Sequence, residues 1–211
     1  MKLYSYHRSS AAYRVRIALN LKGLGWDYVP VNLLQSEQQG AAYLALNPQG
    51  LVPSLQTDSG ELLVQSVAIL EWLEETHPQP ALLPEEPLSR ARVRALVNSI
   101  ACDVHPLNNI AVLNYLRREL DASEEQVQRW YCNWVERSFR AIEQVLAGQQ
   151  QAFCLGDQPS LADVCLVPQV YNADRFKVPM AAYPNIRRVA QQCNTLEAFA
   201  AAAPERQPDA G

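Results

Sequence analysis

Residues 51–75 read LVPSLQTDSGELLVQSVAILEWLEE, and this stretch decides the fold. Residues 54–57 and 61–65 are short alternating segments, and the DSG between them is typical of a hairpin turn. The apolar spacing that follows predicts an amphipathic helix, and we expect the hydroxyl of Ser66 to cap it. The stretch therefore predicts two antiparallel strands followed directly by a helix.

Pro53 stands immediately before this hairpin. A proline cannot donate a hydrogen bond to a β ladder, so it must lie at a strand start or at a bend. If the Val52–Pro53 bond is cis, the backbone N–H and C=O of Val52 face outward and can pair with another peptide. A cis bond costs only about 0.5–1 kcal/mol before proline, so the fold can hold it. A simple turn proline is the alternative that this tripeptide leaves open.

The residues before the hairpin complete a small α/β domain. Residues 2–6 alternate as a strand, the next segment has helical spacing up to Gly23, and residues 26–33 alternate again. A short helical piece ending at ALNP then leads to the hairpin, which gives the order β-α-β-α-β-β-α. We predict an α/β domain over residues 1–80 and, after it, a linker rich in proline between residues 78 and 87.

Beyond the linker the pattern is helical throughout. A long helical run over residues 88–118 is interrupted by Pro106. Ser123 with Gln126 and Ser160 with Asp163 each form the pattern of a capping box, which predicts a helix start. We predict an all-α second domain over residues 88–211, with a polar tail, PERQPDAG, that is frayed.

Composition limits the classes of function. The 211 residues carry a net charge of −4, with 48% hydrophobic and 19% charged residues, which is the composition of an ordinary globular protein. We expect no nucleic-acid partner, because phosphate contacts need clustered basic residues. We expect no membrane partner and a cytoplasmic location, because no signal peptide and no long apolar run is present. Five scattered cysteines without a C-x-x-C predict small buried thiols and no metal site.

Several stretches, in order and at matching spacing, resemble the zeta class of glutathione transferases. They are YSYHRSSAAYRVRIALNLKG, ALNPQGLVPSL, QSVAILEWLEE, GDQPSLADVCLVPQV and ADRFKV with YPNI, and the resemblance runs from Lys2 to Pro208. The resemblance implies a thioredoxin-like α/β N-terminal domain, an all-α C-terminal domain, glutathione as the cofactor and a homodimer.

The resemblance gives the pair Ser9 and Ser10 a catalytic role, and elementary chemistry agrees with it. A thiol with a pKa of about 8.5 is only slightly ionised near neutrality. The first turn of a helix offers free N–H groups and about half a positive charge, and a hydroxyl that donates to sulfur adds about 1.5–3 kcal/mol. The two serines would therefore bind the sulfur of glutathione and keep it ionised, while plain helix caps are the alternative.

The resemblance also implies further glutathione contacts. Gln65 and Ser66 would hold the γ-glutamyl carboxylate, because an amide, a hydroxyl and a helix N-terminus together suit an anion. The backbone of Val52 would pair with the cysteinyl unit. The remaining matched positions are Gln38, His105 and Asn109. His105 could equally be a buried structural histidine.

Two arginines are the candidates for binding a dicarboxylate substrate. Arg8 precedes the serine pair and Arg175 lies in the stretch NADRF, and a guanidinium binds two carboxylate oxygens at once. Solvated surface arginines are the alternative for both. We expect Arg14 and Arg16 to be structural or exposed. The family's motif has a cysteine where this chain has Ala11, which argues against a mechanism that uses a protein thiol.

The activity that the resemblance implies is the glutathione-dependent cis–trans isomerisation of maleylacetoacetate to fumarylacetoacetate, a step of tyrosine and phenylalanine breakdown. Three alternatives stay open at this point. They are isomerisation of maleylpyruvate in aromatic-acid degradation, dehalogenation of small α-halo acids by a general zeta-class transferase, and a non-catalytic binding protein with the same fold.

Overall fold

The computed structural model describes residues 1–148 and 150–210, and its contacts divide the chain into two compact units. The first unit contains residues Met1–Leu82 together with the chain from Asn194 onward, and the second contains Leu83–Cys193. The predicted end of the second domain, at Gly211, lies outside the described residues.

The first unit is built on a mixed four-stranded sheet, as the hairpin and the βαβ pattern predict. Its strands are β1 (Lys2–Ser5), β2 (Asp27–Pro30), β3 (Ser54–Gln56) and β4 (Leu62–Val64). Their order is β2-β1-β3-β4; β1 and β2 are parallel, and the other two pairs are antiparallel. Its first three helices are α1 (Ser10–Leu21), α2 (Ala41–Leu46) and α3 (Ser66–Thr76).

Helix α1 lies at the centre of this unit. Ten of its residues, Ser10–Leu19, are buried, and α3 and the helix Glu197–Ala202 both pack against it. The predicted stop is confirmed: Gly23 follows the C-cap residue with φ +63°, a left-handed conformation that glycine adopts without steric cost.

A buried ion pair fixes the beginning of the linker to the first unit. Lys22 Nζ donates to Glu74 Oε2 at 2.8 Å and to the carbonyls of His77 and Pro80 at 2.6 and 3.1 Å. Glu74 in turn accepts from the backbone N–H of Leu82. Every group in the cluster is hydrogen-bonded, which a buried charge pair needs if it is not to destabilise the fold.

The last helix belongs with the first unit and not with the helical domain, so the predicted span of 88–211 is too long. Helix α9 (Glu197–Ala202) packs against α1. Arg16 Nε donates to the carbonyl of Ala202 at 3.0 Å, and Asn20 Nδ2 donates to that of Ala198 at 3.1 Å. Helical periodicity does not indicate which unit a helix packs against. The hydrogen bonds from Arg16 and Asn20 of α1 hold α9 in the first unit.

Side-chain contacts hold the C-terminal tail over its described residues, 204–210, so the prediction that the tail is frayed is wrong for them. Asp209 Oδ1 accepts from the hydroxyl of Tyr28 at 2.6 Å, and Asp209 Oδ2 accepts from the backbone N–H of His7 at 3.1 Å. The amide of Gln207 donates to the carbonyls of Ala201 and Ala203. A polar tail is held here because its acceptors meet donors of the first unit.

The second unit is helical, as predicted. Its helices are α4 (Pro87–Ala101), α5 (Ile110–Arg118), α6 (Glu124–Ala147), α7 (Leu161–Arg175) and α8 (Pro184–Asn194). A short 3₁₀ turn, His105–Leu107, separates α4 from α5, so the predicted interruption at Pro106 is confirmed. Among the described residues, no helix combines the length and the apolar character needed to cross a membrane.

Both predicted capping boxes are present in the second unit. Ser123 and Gln126 exchange hydrogen bonds at the start of α6. Ser160 and the fully buried Asp163 do the same at the start of α7, and Asp163 also accepts from the backbone N–H of Cys154 at 2.8 Å. These reciprocal bonds satisfy N–H groups that have no partner within the helix itself.

Candidate active site

At the N-terminus of α1, the hydroxyl of Ser9 is available as a hydrogen-bond donor. Ser9 is the N-cap, and its Oγ accepts from the backbone N–H of Ala12 at 3.2 Å. The hydroxyl is only half-buried, and no described group accepts its proton. Since a hydroxyl both donates and accepts, capping leaves the Ser9 proton available for an anion at the first turn.

Ser10 differs from Ser9 in its surroundings. It is the first residue of α1 and is only 4% exposed, and it makes contacts inside the protein. The sequence does not distinguish the two serines, whereas the structure shows that Ser9 is the more exposed of the two residues.

The loop before β3 is fixed through one carbonyl. Leu51 O accepts from the hydroxyl of Tyr43 at 2.8 Å and from Asn47 Nδ2 at 2.9 Å. Burial raises the pKa of Tyr43 above its usual value, so the phenol stays a donor. The Val52–Pro53 bond that follows is cis. Neither the N–H nor the C=O of Val52 is hydrogen-bonded to any described group, which leaves both for another peptide.

Gln38 lies beside the same loop. Gly50 has φ +61°, and a Cβ there would come within 2.5 Å of Gln39 Nε2, so the loop runs close against the 3₁₀ turn Glu37–Gln39. Gln38 Oε1 is buried and accepts no hydrogen bond from the described residues. A buried acceptor without a donor is costly to leave unsatisfied, so it fits a ligand N–H.

The start of α3 differs from the sequence-based expectation. Ser66 is the first helical residue and not its cap; the N-cap is Gln65, which has φ +69° and makes no capping bond. Its side chain donates instead to Gln49 Oε1 at 2.9 Å. The first-turn N–H groups of α3 therefore have no side-chain cap, which leaves them for an anionic group.

A buried arginine of α1 donates a hydrogen bond to the side chain of Ser66. Arg14 Nη1 donates to Ser66 Oγ at 3.2 Å, although the two residues are 52 positions apart in the chain. Arg14 is 1% exposed and Arg16 is fully buried, so neither is a surface residue. Arg16 is structural, as one of the two expectations has it: its guanidinium donates to the carbonyl of His7 and to Ser5 Oγ.

Sequence reasoning missed the contact of Arg14 with Ser66. Helix α1 is buried almost all round, so its apolar periodicity carries little information about which polar residue faces α3. A pair of arginines inside an otherwise apolar helical run is the signal that could have found it.

Two predicted residues lie together in the second unit. His105 begins the 3₁₀ turn and is half-buried, so it is not a fully buried core histidine. Asn109 is the N-cap of α5: its Oδ1 accepts from the N–H of Val112 at 3.0 Å, and its Nδ2 donates to the carbonyl of Pro106 at 2.9 Å. These bonds leave Asn109 one amide proton and one lone pair for a ligand.

Arg175 is exposed in the last turn of α7. Its guanidinium lies 4.9 Å from the ring centre of Phe176, which stacks on Tyr131 at 4.0 Å. The backbone carbonyl of Tyr131 accepts from Asn108 Nδ2, which connects this end of α7 with the segment that carries His105 and Asn109. No described carboxylate forms an ion pair with Arg175.

Arg8 precedes the serine pair in the first unit and is exposed. None of the described side chains forms an ion pair or a hydrogen bond with its guanidinium. The two predicted substrate arginines are thus both exposed cations, each in its own unit.

Comparisons with known proteins agree with this arrangement. The family model for the glutathione S-transferase N-terminal domain matches residues 3–81, and the model for the C-terminal domain matches residues 113–191. The chain belongs to the glutathione S-transferase family. A maleylacetoacetate isomerase of Pseudomonas aeruginosa is 54% identical over 99% of this chain and 98% of its own length.

Two solved structures match the whole chain. A bacterial maleylpyruvate isomerase of the zeta class in its holo form has a TM-score of 0.97 at 47% identity, covering 100% of both chains. A maleylacetoacetate isomerase of Methylobacterium extorquens AM1, with malonate and glutathione bound, has a TM-score of 0.96 at 40% identity and the same coverage. The predicted zeta-class resemblance and the transferase fold are confirmed.

The cysteines of this transferase offer no activated thiol at α1. Position 11 is a buried alanine, and burial raises the pKa of Cys132, Cys154 and Cys193. Cys102 is exposed and Cys132 is only half-buried, so the expectation of small buried thiols holds for the other three cysteines alone. Because a raised pKa disfavours the thiolate, the sulfur for nucleophilic chemistry at the mouth of α1 must come from a ligand.

Proposed function

We propose that this chain is a glutathione-dependent isomerase that converts maleylacetoacetate to fumarylacetoacetate. The observation that carries the proposal is the hydroxyl of Ser9, which caps α1 and keeps its proton for a sulfur anion. The identity of 54% to a maleylacetoacetate isomerase over nearly the whole chain supports the substrate.

The first unit has unsatisfied groups that fit glutathione. The N–H and C=O of Val52 suit the cysteinyl backbone, as two antiparallel hydrogen bonds between extended peptides require. The buried Gln38 Oε1 suits an N–H donor of the tripeptide, and the uncapped start of α3 at Gln65 and Ser66 suits the γ-glutamyl carboxylate. In the second unit, His105 and Asn109 are proposed as further contacts.

When bound, glutathione would supply a thiolate for reversible addition to the cis double bond: the new C–S bond leaves a single carbon–carbon bond that can rotate and moves an electron pair onto the ketone oxygen, and cleavage of the C–S bond restores the double bond as trans and releases the thiolate unchanged. The residues of the chain hold and orient the reactants. The hydroxyl of Ser9 donates a hydrogen bond to the sulfur anion, Ser10 supports the first turn of α1, and the helix N-terminus favours the negative charge.

Arg8 and Arg175 are proposed to bind the substrate. Maleylacetoacetate carries two carboxylates, and each arginine presents a planar fork that matches a carboxylate. Both guanidinium groups are exposed, and neither is neutralised by an acid of the described residues, which leaves their charge for the substrate. The same charge favours the oxygen on which negative charge develops during addition.

We further propose that the protein is a cytoplasmic homodimer that acts in tyrosine and phenylalanine breakdown. The assembly and the pathway follow from the zeta-class resemblance. The location is proposed from the cysteine pattern, because five scattered cysteines without a C-x-x-C are typical of a reducing compartment.

Maleylpyruvate isomerisation is the second candidate, and a specific observation favours it. The structure with the TM-score of 0.97 is a maleylpyruvate isomerase, and the chemistry at the double bond is the same. The two substrates differ in the length of the keto-acid. Dehalogenation of small α-halo acids would use the same thiolate as a side activity. A non-catalytic binding protein would not need an ionised thiol.

The direct test is an isomerase assay of the purified protein with each keto-acid, with and without glutathione. We expect loss of the ultraviolet absorbance of the cis enedione only when glutathione is present, and a higher kcat/KM for maleylacetoacetate than for maleylpyruvate. A reversed order of kcat/KM would assign the second candidate. A protein that isomerises neither acid and is not retained on immobilised glutathione would contradict both.

Ser9 can be tested by two substitutions that separate catalysis from capping. Ser9→Ala and Ser9→Gly both remove the hydroxyl, and we expect each to lower kcat by at least about tenfold, because one charge-assisted hydrogen bond is lost. Their stabilities differ, since losing the cap costs about 1 kcal/mol with alanine and only a few tenths with glycine.

The measurement for Ser9 is kcat at saturating glutathione together with the free energy of unfolding in denaturant. If kcat follows the stability, so that Ser9→Gly is nearly as active as the wild type, the hydroxyl is only a cap. Ser10→Ala serves as the comparison and is expected to lower kcat less than Ser9→Ala does.

Arg175→Ala tests the substrate contact. We expect KM for the keto-diacid to rise by about tenfold, since one charged hydrogen-bonded contact is lost, while kcat and the KM for glutathione stay within about twofold. Arg140→Ala, at another exposed arginine of the second unit, is the matched control and is expected to change none of the three. Equal effects of the two substitutions would remove Arg175 from the site.

A further inference from the structure

We propose that Arg14 is a positioning residue for the α-carboxylate of the γ-glutamyl group of glutathione. It holds the hydroxyl of Ser66 in a donating orientation and places a fixed positive charge behind the start of α3. The inference rests on the proposed function, because it assumes that glutathione is the ligand of the first unit.

The hydrogen bond between Arg14 and Ser66 determines the direction in which Ser66 can act. Arg14 Nη1 lies 3.2 Å from Ser66 Oγ, and a guanidinium can only donate. Ser66 Oγ is therefore the acceptor, and its own proton must be donated elsewhere. A carboxylate at the helix start would accept a hydrogen bond from this hydroxyl. It would also accept hydrogen bonds from first-turn N–H groups, which have no side-chain cap.

The burial of Arg14 makes its charge effective. The side chain is 1% exposed, so solvent screens its field much less than that of a surface arginine. A guanidinium stays protonated at every physiological pH, so the charge is permanent. The N-terminal end of α3 carries a partial positive charge of its own, and both favour an anion at the same place.

Arg16 shows what a buried arginine with a structural role looks like on the same helix. Its guanidinium donates to Ser5 Oγ and to the carbonyls of His7 and Ala202, and these acceptors fix β1 and α9 to α1. Arg14 instead reaches a residue that is a candidate ligand contact. The two residues therefore form a matched pair for experiment.

The test compares two ligands by calorimetric titration. One is glutathione and the other is γ-aminobutyryl-cysteinylglycine, which is glutathione without the α-carboxylate. We expect Arg14→Met to weaken glutathione binding by at least about tenfold, the loss expected for one charged hydrogen bond, and to weaken binding of the analogue by less than about twofold. Arg16→Met should change both affinities by the same factor.

Equal losses of the two ligands in Arg14→Met would overturn the inference and make Arg14 a structural residue like Arg16. If Arg14→Met does not fold, as judged by circular dichroism, Arg14→Gln replaces it. That variant keeps an N–H donor without the charge, and we expect glutathione to bind at least about fivefold more weakly while the analogue stays within about twofold. Equal losses in that variant would overturn the inference in the same way.

Two outcomes of the wild-type titration separate this inference from the proposed function. If the wild type binds glutathione no more tightly than the analogue, the α-carboxylate is not recognised at α3; the inference fails and the isomerase proposal stands. If the wild type binds neither ligand, the proposed function fails, and the inference fails with it.

Discussion

The stabilisation of a ligand thiolate by the first turn of α1 is the interaction on which the proposed chemistry depends. Three groups or charges can stabilise the thiolate there: the hydroxyl of Ser9, the N–H groups of the first turn and the partial positive charge of the helix N-terminus. The protein offers no thiol of its own at this place, because position 11 is alanine. The sulfur must therefore be borrowed, and the rest of the first unit is organised to hold the molecule that carries it.

Buried polar contacts hold the segments around α1 in place. Arg16 and Asp209 anchor the residues just before Ser9 through the carbonyl and the N–H of His7. Tyr43 and Asn47 fix the carbonyl of Leu51 and so present the backbone of Val52. Arg14 ties the start of α3 to α1. Groups that bind a flexible tripeptide need this rigidity, since affinity falls when the binding groups must be ordered at the moment of binding.

The α/β pattern, the hairpin, the linker and the capping boxes could all be predicted from the sequence, because each depends on local periodicity or on turn chemistry. The placement of α9 and of Asp209 could not, because it depends on donors of α1 and β2 that are remote in the chain. The sequence predicts Ser66 as the cap of α3, whereas the cap is Gln65. A positive φ such as the +69° of Gln65 is uncommon for a residue other than glycine, so the sequence does not indicate it.

The candidate site was predicted less completely than the fold. The serine pair and Ser66 are candidates because helical spacing begins at them, and Val52 is one because it precedes a proline at a strand start, whereas the other proposed glutathione contacts come from the zeta-class resemblance. The proposed preference for Ser9 over Ser10 depends on the burial of the two residues, and the contact of Arg14 with Ser66 depends on the packing of α1 on α3. These properties belong to tertiary structure, and a single sequence contains no direct record of them.

The most direct test of the central claim is a titration of the glutathione thiol in the complex, followed by the ultraviolet absorbance of the thiolate. The account predicts that the pKa of the bound thiol lies about one to two pH units below that of free glutathione, which corresponds to one charge-assisted hydrogen bond. A bound thiol that ionises at the same pH as free glutathione would contradict it.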